Sequence, residues 1–366
     1  MKNFTKNYIK KSISDSSFTR PYGWDSIPRD INKLWLDKNE NTDPIYLDFI
    51  NNISGQIKND SYTCYPEPKK LYEKLSDWVG VDSHAFILTP GSDGAIRSTF
   101  EVFIAKNDKV LITDPSFAMY EIYCKIFDAS IKKISYKKNT ECPKIDISEL
   151  ENLIKRLKPK LFCLPNPDSP TGAIFNYDEM VFIIKLCYEN GVILLIDEAY
   201  HPFYPISYSS FTEKYPNLII ARTFSKAWGL AGLRLGYAIG NKSTISYFHK
   251  IKPMYEIGSY SINFIEKMLD NINAMENSVD RIIRGKAYFL ENMKQLKIEY
   301  LINHGNFLHV NMAKKNFLHE LLSKHVLYRK SFEHPSLIDY SRFTATTEEN
   351  FKPIIKIFKD VKEINN

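Results

Sequence analysis

Short apolar segments alternate with longer segments of helical periodicity along residues 45–252 of this 366-residue chain. The apolar segments, which predict strands, are 85–88, 110–112, 160–164, 192–196 and 218–221. The helical segments are 95–104, 119–127 and 177–189. Strands separated by helices pair in parallel through right-handed crossovers, and the helices cover both faces of the sheet. The alternation therefore predicts an α/β fold whose ligand lies at the carboxyl ends of the strands.

The pattern changes after residue 251. A long helical stretch reaches residue 293, strand-like segments follow at 307–310 and 341–344, and a helix is predicted over 348–361. This order of elements predicts a smaller α+β domain. We divide the chain into an N-terminal arm with part of the small domain at 1–44, a large domain at 45–252 and a small domain at 253–366.

Composition excludes several classes of protein. With 44% hydrophobic and 25% charged residues the chain is globular, and no apolar stretch approaches the roughly 18 residues of a membrane helix. The net charge of +6 is scattered, so no nucleic-acid groove is predicted. Five cysteines without a CxxC pair indicate reduced thiols in a cytoplasmic protein and no metal site. The basic first twenty residues mildly resemble a transit peptide, although a solvated arm is the simpler interpretation.

Glycines cluster in one segment. Four of the fourteen, Gly229, Gly232, Gly236 and Gly240, fall within twelve residues. Glycine costs roughly 1 kcal/mol relative to alanine in a helix, so this density predicts a bend or a close approach. A ligand is the partner we expect.

The same segment contains a lysine that suits covalent chemistry. Lys226 follows the apolar segment 218–221, is flanked by hydroxyl side chains and precedes Arg234 by eight residues. This spacing is typical of a buried amine nucleophile beside an anion site. Taken alone, the segment would fit an exposed lysine at a strand end equally simply.

A second segment favours the amine nucleophile over the exposed lysine. Asp197 comes directly after the apolar residues 192–196, and Tyr200 follows three residues later. A carboxylate at the end of a buried strand is costly unless it meets a cation, so Asp197 is expected to face a protonated group. Capping of a following helix is the alternative.

Two further segments follow predicted strands. Residues 89–95, which include Gly91, Ser92 and Asp93, join a strand to a helix and aim backbone N–H groups at an anion, most simply a phosphate. Residues 166–172 form a polar prolyl turn. Together the four segments offer a phosphate site, a lysine, an acid for a cationic ring nitrogen and a polar turn, which suits pyridoxal phosphate.

At this point the chain resembles a known family. The sequences DEAY at 197–200 and TFSKAWGLAGLRLGY at 223–237 are similar to those of fold type I aminotransferases of class I/II, in particular the histidinol-phosphate aminotransferase branch. The resemblance extends from the Asn39-Glu40-Asn41 element through Tyr65-Pro66-Glu67-Pro68 to Arg342. It implies an α/β fold with a mostly parallel sheet flanked by helices, a smaller α+β domain and pyridoxal 5'-phosphate as cofactor.

The resemblance also implies roles for individual residues. Lys226 would bind the cofactor covalently and move a proton at the substrate, Asp197 would keep the ring nitrogen protonated, and Tyr200 would hydrogen-bond the phenolic oxygen. The implied phosphate contacts are Gly91, Ser92, Asp93, Thr223, Ser225 and Arg234. Phe117 would stack on the ring, unless it is a core aromatic. Tyr65 would reach the phosphate of a neighbouring subunit, which implies a homodimer with shared sites.

The substrate contacts implied by the resemblance are Arg342, Arg329, Asn166 and Asn306. Two guanidinium groups would favour a dianion over a single carboxylate, while an exposed charge explains Arg329 as well. Ser169 departs from the family, which usually has asparagine before the Pro-Thr-Gly turn, and the contact to the phenolic oxygen is expected to be weaker.

The function expected from these residues is transamination. An amino group would pass from L-glutamate or a similar donor to a small phosphorylated ketone or oxo acid, of the histidinol-phosphate type or another such as dihydroxyacetone phosphate. A pyridoxal-phosphate-dependent decarboxylase of a phosphorylated hydroxy amino acid, threonine phosphate or serine phosphate, is the alternative. A regulatory module without catalysis is disfavoured because Lys226 is present.

Overall fold

The computed structural model describes residues 8–15 and 27–364. Most of the segment that resembles a transit peptide, and much of the predicted arm, lies outside these residues. The strands are β1 Leu34–Leu36, β2 Phe86–Thr89, β3 Lys109–Asp114, β4 Ser130–Ser135, β5 Leu161–Pro165, β6 Ile193–Asp197, β7 Leu218–Thr223, β8 Gly236–Gly240, β9 Tyr300–Leu301, β10 Phe307–Asn311, β11 Val326–Tyr328 and β12 Tyr340–Thr344. The helices are α1 Lys11–Ser14, α2 Pro44–Ser54, α3 Asp60–Thr63, α4 Lys69–Val79, α5 Gly91–Phe103, α6 Met119–Ile126, α7 Ile147–Leu157, α8 Tyr177–Glu189, α9 Lys242–Ile251, α10 Ser259–Leu269, α11 Ile272–Gln295, α12 Asn316–His325 and α13 Glu348–Ile364.

A seven-stranded sheet in the order β2-β8-β7-β6-β5-β3-β4 forms the centre of the described residues. The five predicted strands are all present, and β4, β3, β5, β6 and β7 run parallel as expected. The sheet is nevertheless mixed, because β8 runs antiparallel to both β2 and β7. Neither β8 nor β4 is predicted from the sequence, since β8 lies among the clustered glycines and β4 is a partly exposed edge strand carrying two lysines.

The glycines of β8 correct one expectation. A Cβ on Gly236 would lie 2.4 Å from the carbonyl carbon of Gly91 and 2.6 Å from the carbonyl oxygen of Arg222. The close approach therefore involves backbone of the protein rather than a ligand. It brings β8 against the start of α5, where sequence analysis places the phosphate site.

Two smaller sheets lie in the C-terminal part of the chain. Strands β12, β10 and β9 form an antiparallel sheet, and β1 from the N-terminal segment pairs in parallel with β11. The long helical stretch predicted up to residue 293 is in fact two helices, α10 and α11. Because Ile262 and Ile265 of α10 belong to the core that packs on the central sheet, the domain boundary at residue 252 stays a prediction.

Helix α11 packs closely on the chain after β12. A Cβ on Gly285 would lie 2.0 Å from the carbonyl oxygen of Thr346. We expect Gly285→Ala to lower the free energy of unfolding by about 1–3 kcal/mol, because the two backbones must separate. Urea unfolding measures this, with Gly232→Ala as the control, since no atom lies within 4 Å of a Cβ at Gly232. Equal stability of the two variants would contradict this packing.

Candidate active site

A cavity of about 1030 Å³ opens where the parallel strands end, with the end residues of β3, β5, β6 and β7 in its wall. On the opposite side it is lined by residues 329 and 331–335 and by Arg342. The residues of this cavity that sequence analysis selected are Ser92, Asp93, Phe117, Ser169, Asp197, Tyr200, Thr223, Ser225, Lys226, Arg234, Arg329 and Arg342. Segments that are far apart in sequence therefore meet in one place.

Lys226 lies three residues after the end of β7, half-buried in the cavity wall. Its Nζ donates a hydrogen bond to the carbonyl oxygen of Lys38 at 2.7 Å. Burial, reinforced by the neighbouring positive charge of Arg342, lowers the pKa of Lys226 to about 8. A substantial fraction of the amine is therefore neutral near pH 7–8, as a nucleophile or base requires.

Asp197 ends β6 and is only 5% exposed. Its carboxylate accepts hydrogen bonds from the hydroxyl of Tyr120 at 2.9 Å and from the backbone N–H of Ala199 at 3.0 Å. Burial raises the pKa of Asp197 to about 6, although these two hydrogen bonds oppose the rise. A cation placed against this carboxylate would stabilise its ionised form, which is what a protonated ring nitrogen requires.

The start of α5 forms an anion site. Helix α5 begins at Gly91, whose φ is +72°, and the N–H groups of its first turn have no helical partner. The guanidinium of Arg234 lies directly over this start, because a Cβ on Gly91 would be 2.8 Å from its Nη2. A cation at the positive end of a helix dipole is unfavourable unless an anion lies between them, so the arrangement fits a phosphate.

Hydroxyl groups complete this anion site. The Thr223 hydroxyl donates to Oγ of Ser225 at 2.9 Å, and Arg234 Nη1 lies 3.4 Å from the same oxygen. The carboxylate of Asp93 accepts a hydrogen bond from Tyr123 at 2.9 Å. An acidic residue in the first turn is favourable for the helix, so Asp93 can line the site beside an anion.

Tyr200 faces the cavity beside Asn39, a residue that sequence analysis did not select individually. The side-chain amide of Asn39 donates to the Tyr200 hydroxyl oxygen at 2.8 Å. Because the phenol oxygen accepts this bond, its own proton can be donated to an acceptor in the cavity. Burial raises the pKa of Tyr200, while Arg342 and Ser169 oppose the rise. The Asn39-Glu40-Asn41 element was the available signal for Asn39.

Phe117 lines the cavity with 37% of its surface exposed. Its ring meets Tyr120 edge to face, with 5.8 Å between the centroids. The ring therefore lies at the cavity surface, and its stacking on a bound cofactor stays a prediction.

Two arginines stand side by side on the opposite wall. Arg342 donates its N–H to the carbonyl oxygen of Arg329 at 2.8 Å, and Arg329 donates to the carbonyl oxygen of Arg342 at 3.0 Å. The Arg342 side chain is buried, donates to the carbonyl oxygen of Asp37 at 3.0 Å and lies over the Phe307 ring. The Arg329 guanidinium lies over Phe332 at 4.4 Å from the centroid. Two cations in one partly buried cavity favour an anionic substrate.

Two residues assigned to the substrate from the sequence do not line the cavity. The side-chain oxygen of Asn166 accepts the N–H of Phe175 at 2.9 Å, and the side-chain amide of Asn306 donates to the carbonyl oxygen of Asn39 at 3.0 Å. Both side chains are 1% exposed. Each side chain thus supports a neighbouring loop through one of its polar atoms, and its direct contact with a substrate stays a prediction.

Tyr65 lies outside the cavity of the single chain. It is 74% exposed and stacks on Tyr255, with 4.1 Å between the ring centroids. Its contact with a cofactor in a neighbouring subunit stays a prediction.

The cavity also contains residues that sequence analysis missed. They are Lys38, Asn39, Asp114, Ser331, Phe332, Glu333 and His334. His334 Nε2 is 3.9 Å from the carboxylate of Asp114 across the cavity. Apart from Asn39, no local pattern marks these residues, because they reach the cavity only when distant segments pack together. Among residues 8–15 and 27–364, no group of three or more His, Cys, Asp or Glu side chains is placed to hold a metal ion.

Comparisons with known proteins agree with this geometry. The family model described as aminotransferase class I and II matches residues 31–358. Histidinol-phosphate aminotransferase from Clostridium novyi (strain NT) is 31% identical over 340 residues, covering 91% of this chain and 94% of that protein. The enzyme of the same name from Caldanaerobacter subterraneus subsp. tengcongensis is 29% identical over 333 residues, covering 90% and 93%.

One solved structure shows the likeness in three dimensions. The crystal structure of histidinol-phosphate aminotransferase from Sinorhizobium meliloti in complex with pyridoxal-5'-phosphate has a TM-score of 0.79 to this chain. The match covers 91% of this chain and 92% of that chain, at 20% sequence identity. At this identity the likeness concerns the fold.

Proposed function

This chain belongs to the family of class I and II aminotransferases, and from that membership we propose that it moves an amino group from L-glutamate or a similar donor to a small phosphorylated ketone of the histidinol-phosphate type. The fold type I assignment, the transaminase chemistry and the cofactor predicted from the sequence are confirmed by the family match and by relatives of about 30% identity. The acceptor is the part that we propose.

The paired arginines support this acceptor most directly. Backbone hydrogen bonds hold Arg329 and Arg342 side by side, and both line the cavity that contains Lys226. Two guanidinium groups provide more donors and more charge than one carboxylate needs, and they match a phosphate together with a second polar group. The relatives named as histidinol-phosphate aminotransferases support the same substrate class.

The residues that would hold pyridoxal phosphate have complementary tasks. When bound, the cofactor supplies an electron sink that stabilises negative charge at the substrate Cα. Asp197 would face the ring nitrogen and keep it protonated, and Tyr200 would donate a hydrogen bond to the phenolic oxygen. The start of α5, with Ser225 and Arg234, would hold the phosphate and fix the ring in place.

Lys226 would move the proton. Its amine, with a pKa of about 8, can accept a proton from the substrate Cα and return it to another carbon without a large energetic penalty. Arg342 and Arg329 would orient the substrate so that this Cα proton faces Lys226. Correct orientation contributes to the rate because the reacting groups are already in place.

The assembly and location belong to the same proposal. The exposed aromatic side chains of Tyr62, Tyr65 and Tyr255 lie on one side of the chain where a second copy would cover them, so a homodimer with shared sites is expected. Four of the five cysteines are buried free thiols, which fits a reducing cytoplasm. In the described part of the chain, none of the helices has the length and apolar character needed to cross a membrane.

The acceptor is tested with histidinol phosphate and 2-oxoglutarate. We expect glutamate formation, with kcat/KM at least roughly 100-fold higher for histidinol phosphate than for histidinol, because charged hydrogen bonds to the phosphate are lost in the latter. Dihydroxyacetone phosphate with L-glutamate tests the other phosphorylated ketone. Release of carbon dioxide from threonine phosphate without glutamate formation would contradict the proposal and favour the decarboxylase.

Arg329 gives a sharper test of phosphate recognition. We expect Arg329→Ala to raise KM for histidinol phosphate roughly 10- to 100-fold, the effect of losing a charged hydrogen bond. The half-reaction with L-glutamate should change much less, since this donor carries no phosphate. Lys330→Ala is the matched control, because Lys330 is exposed and does not line the cavity. An equal effect on both donors would contradict a phosphate-specific role.

A further inference from the structure

Lys286 of α11 has an unusual set of partners. Its Nζ donates to the carbonyl oxygen of Asn303 at 2.7 Å, to Oδ1 of Asn303 at 2.8 Å and to the carbonyl oxygen of Gly305 at 2.9 Å. An ammonium group has three N–H donors, so all of them are directed at the turn formed by residues 303–307, here named the 303–307 turn.

This ammonium group is held without an acidic partner. All three acceptors of Lys286 are neutral oxygens, and burial lowers the pKa of its amine to about 7. A half-buried cation that meets only neutral oxygens has no ion pair to offset its loss of hydration. Stability alone therefore does not explain a lysine at this position, whereas fixing the turn does.

The 303–307 turn touches the active site on two sides. The N–H of His304 donates to the carbonyl oxygen of Gly172 at 3.0 Å, and a Cβ on Gly172 would lie 2.2 Å from Cβ of Asn303. The turn is thus pressed against the loop that contains Ser169. On its other side, the Phe307 ring meets Tyr200 edge to face at a centroid distance of 5.3 Å.

A chain of hydrogen bonds continues from the turn to Tyr200. The side-chain amide of Asn306 donates to the carbonyl oxygen of Asn39 at 3.0 Å, and the side-chain amide of Asn39 donates to the Tyr200 hydroxyl at 2.8 Å. The N–H of Asn39 is fixed by Oγ1 of Thr344 at 2.9 Å. The position of the Tyr200 phenol thus depends on Asn39, and the position of Asn39 depends on its hydrogen bond from Asn306.

We propose that Lys286 is a positioning residue, which holds the 303–307 turn and, through Asn306 and Asn39, directs the Tyr200 hydroxyl at the phenolic oxygen of the cofactor. This inference rests on the proposed cofactor site. It adds a residue outside the cavity wall that acts through three hydrogen-bonded contacts, which are Lys286 with Asn303, Asn306 with Asn39, and Asn39 with Tyr200. Lys286 itself does not line the cavity.

The test measures the bound cofactor rather than turnover. A hydrogen bond donated to the phenolic oxygen stabilises its anionic form, and so lowers the pH at which the visible absorbance of the bound cofactor changes. We expect Lys286→Met to raise this pH midpoint by about one unit, the size of one hydrogen bond. Lys286→Arg, which keeps a cation with N–H donors, should raise it less. If Lys286→Met does not fold, Lys286→Gln serves as the second variant.

Two variants of the same helix separate positioning from general destabilisation. Arg284→Met removes an exposed cation two residues away, and Met293→Ala removes a buried side chain of the hydrophobic core around Phe289 and Phe351. Both should keep the wild-type midpoint, even though Met293→Ala lowers the melting temperature. An unchanged midpoint in Lys286→Met, or an equal shift in Met293→Ala, would overturn the inference.

A double variant tests the route through Tyr200. Tyr200→Phe should raise the midpoint by itself, and adding Lys286→Met should then cause no further shift, because the hydroxyl that Lys286 positions is gone. Additive shifts would overturn the proposed route. A wild-type protein that binds no pyridoxal phosphate would instead contradict the proposed function, so the two failures are distinguishable.

Discussion

Replacement of Lys226 by alanine is expected to lower turnover at least about 1,000-fold. The variant loses both the amine that would bind the cofactor covalently and the group that would move the proton, and proton transfer alone contributes roughly 10²–10⁴-fold. The pKa of about 8 shows that burial prepares this amine for the task. Stopped-flow measurement of the L-glutamate half-reaction, together with the visible spectrum, gives both effects in one experiment.

Lys38 provides the matched control for this prediction. It also lines the cavity, and its backbone carbonyl oxygen accepts the hydrogen bond from Lys226. Lys38→Ala keeps that carbonyl group and should retain the visible spectrum and most of the turnover. If Lys226→Ala kept both, or if Lys38→Ala removed both, the assignment of Lys226 would be wrong.

Replacement of Asp197 by asparagine should have effects of opposite sign on activity and on stability. Without the carboxylate the ring nitrogen is no longer held protonated, so we expect kcat to fall by about 10²–10³-fold, as when a preorganised electrostatic contact is removed. Glu333→Gln is the control, since Glu333 is an exposed carboxylate that lines the same cavity. A comparable loss in both variants would contradict the specific role of Asp197.

The stability effect follows from the raised pKa of Asp197. Its pKa in the folded, cofactor-free protein is about 6, against an ordinary value of 3.8. The folded state therefore binds the proton more tightly than the unfolded state, and stability is lost as the pH rises through this window, by on the order of 3 kcal/mol. Asp197→Asn removes this loss, so the cofactor-free variant should be more stable than the wild type at pH 8. Urea unfolding at pH 4 and pH 8 measures the difference, and a destabilised variant at pH 8 would contradict it.

Much of the central sheet could be predicted from the sequence because its parallel strands are buried on both faces. Segments such as 192–196 are then continuously apolar and end at a charged or polar residue. Strand β8 could not be predicted in this way, since its first and last residues are glycines and its position depends on contact with the start of α5. Edge strand β4 lacks the apolar run because much of it is exposed to solvent.

The residues of the candidate site likewise include some that could be predicted from the sequence and some that could not. Lys226 and Asp197 could be selected because each follows a buried strand, and strand ends in a parallel sheet share one edge. His334 could not, because it is brought to the cavity by packing between segments more than 150 residues apart in sequence. The side chains of Asn166 and Asn306 also support loops, which the sequence does not indicate because it does not show hydrogen-bond partners.

The most direct test of the transaminase is the absorbance spectrum of the purified protein with pyridoxal phosphate, recorded before and after addition of L-glutamate. We predict a visible band that L-glutamate bleaches, with one 2-oxoglutarate released per site, because the amino group has then moved to the cofactor. A protein that binds pyridoxal phosphate but leaves the band unchanged with L-glutamate and with histidinol phosphate would contradict the proposed function.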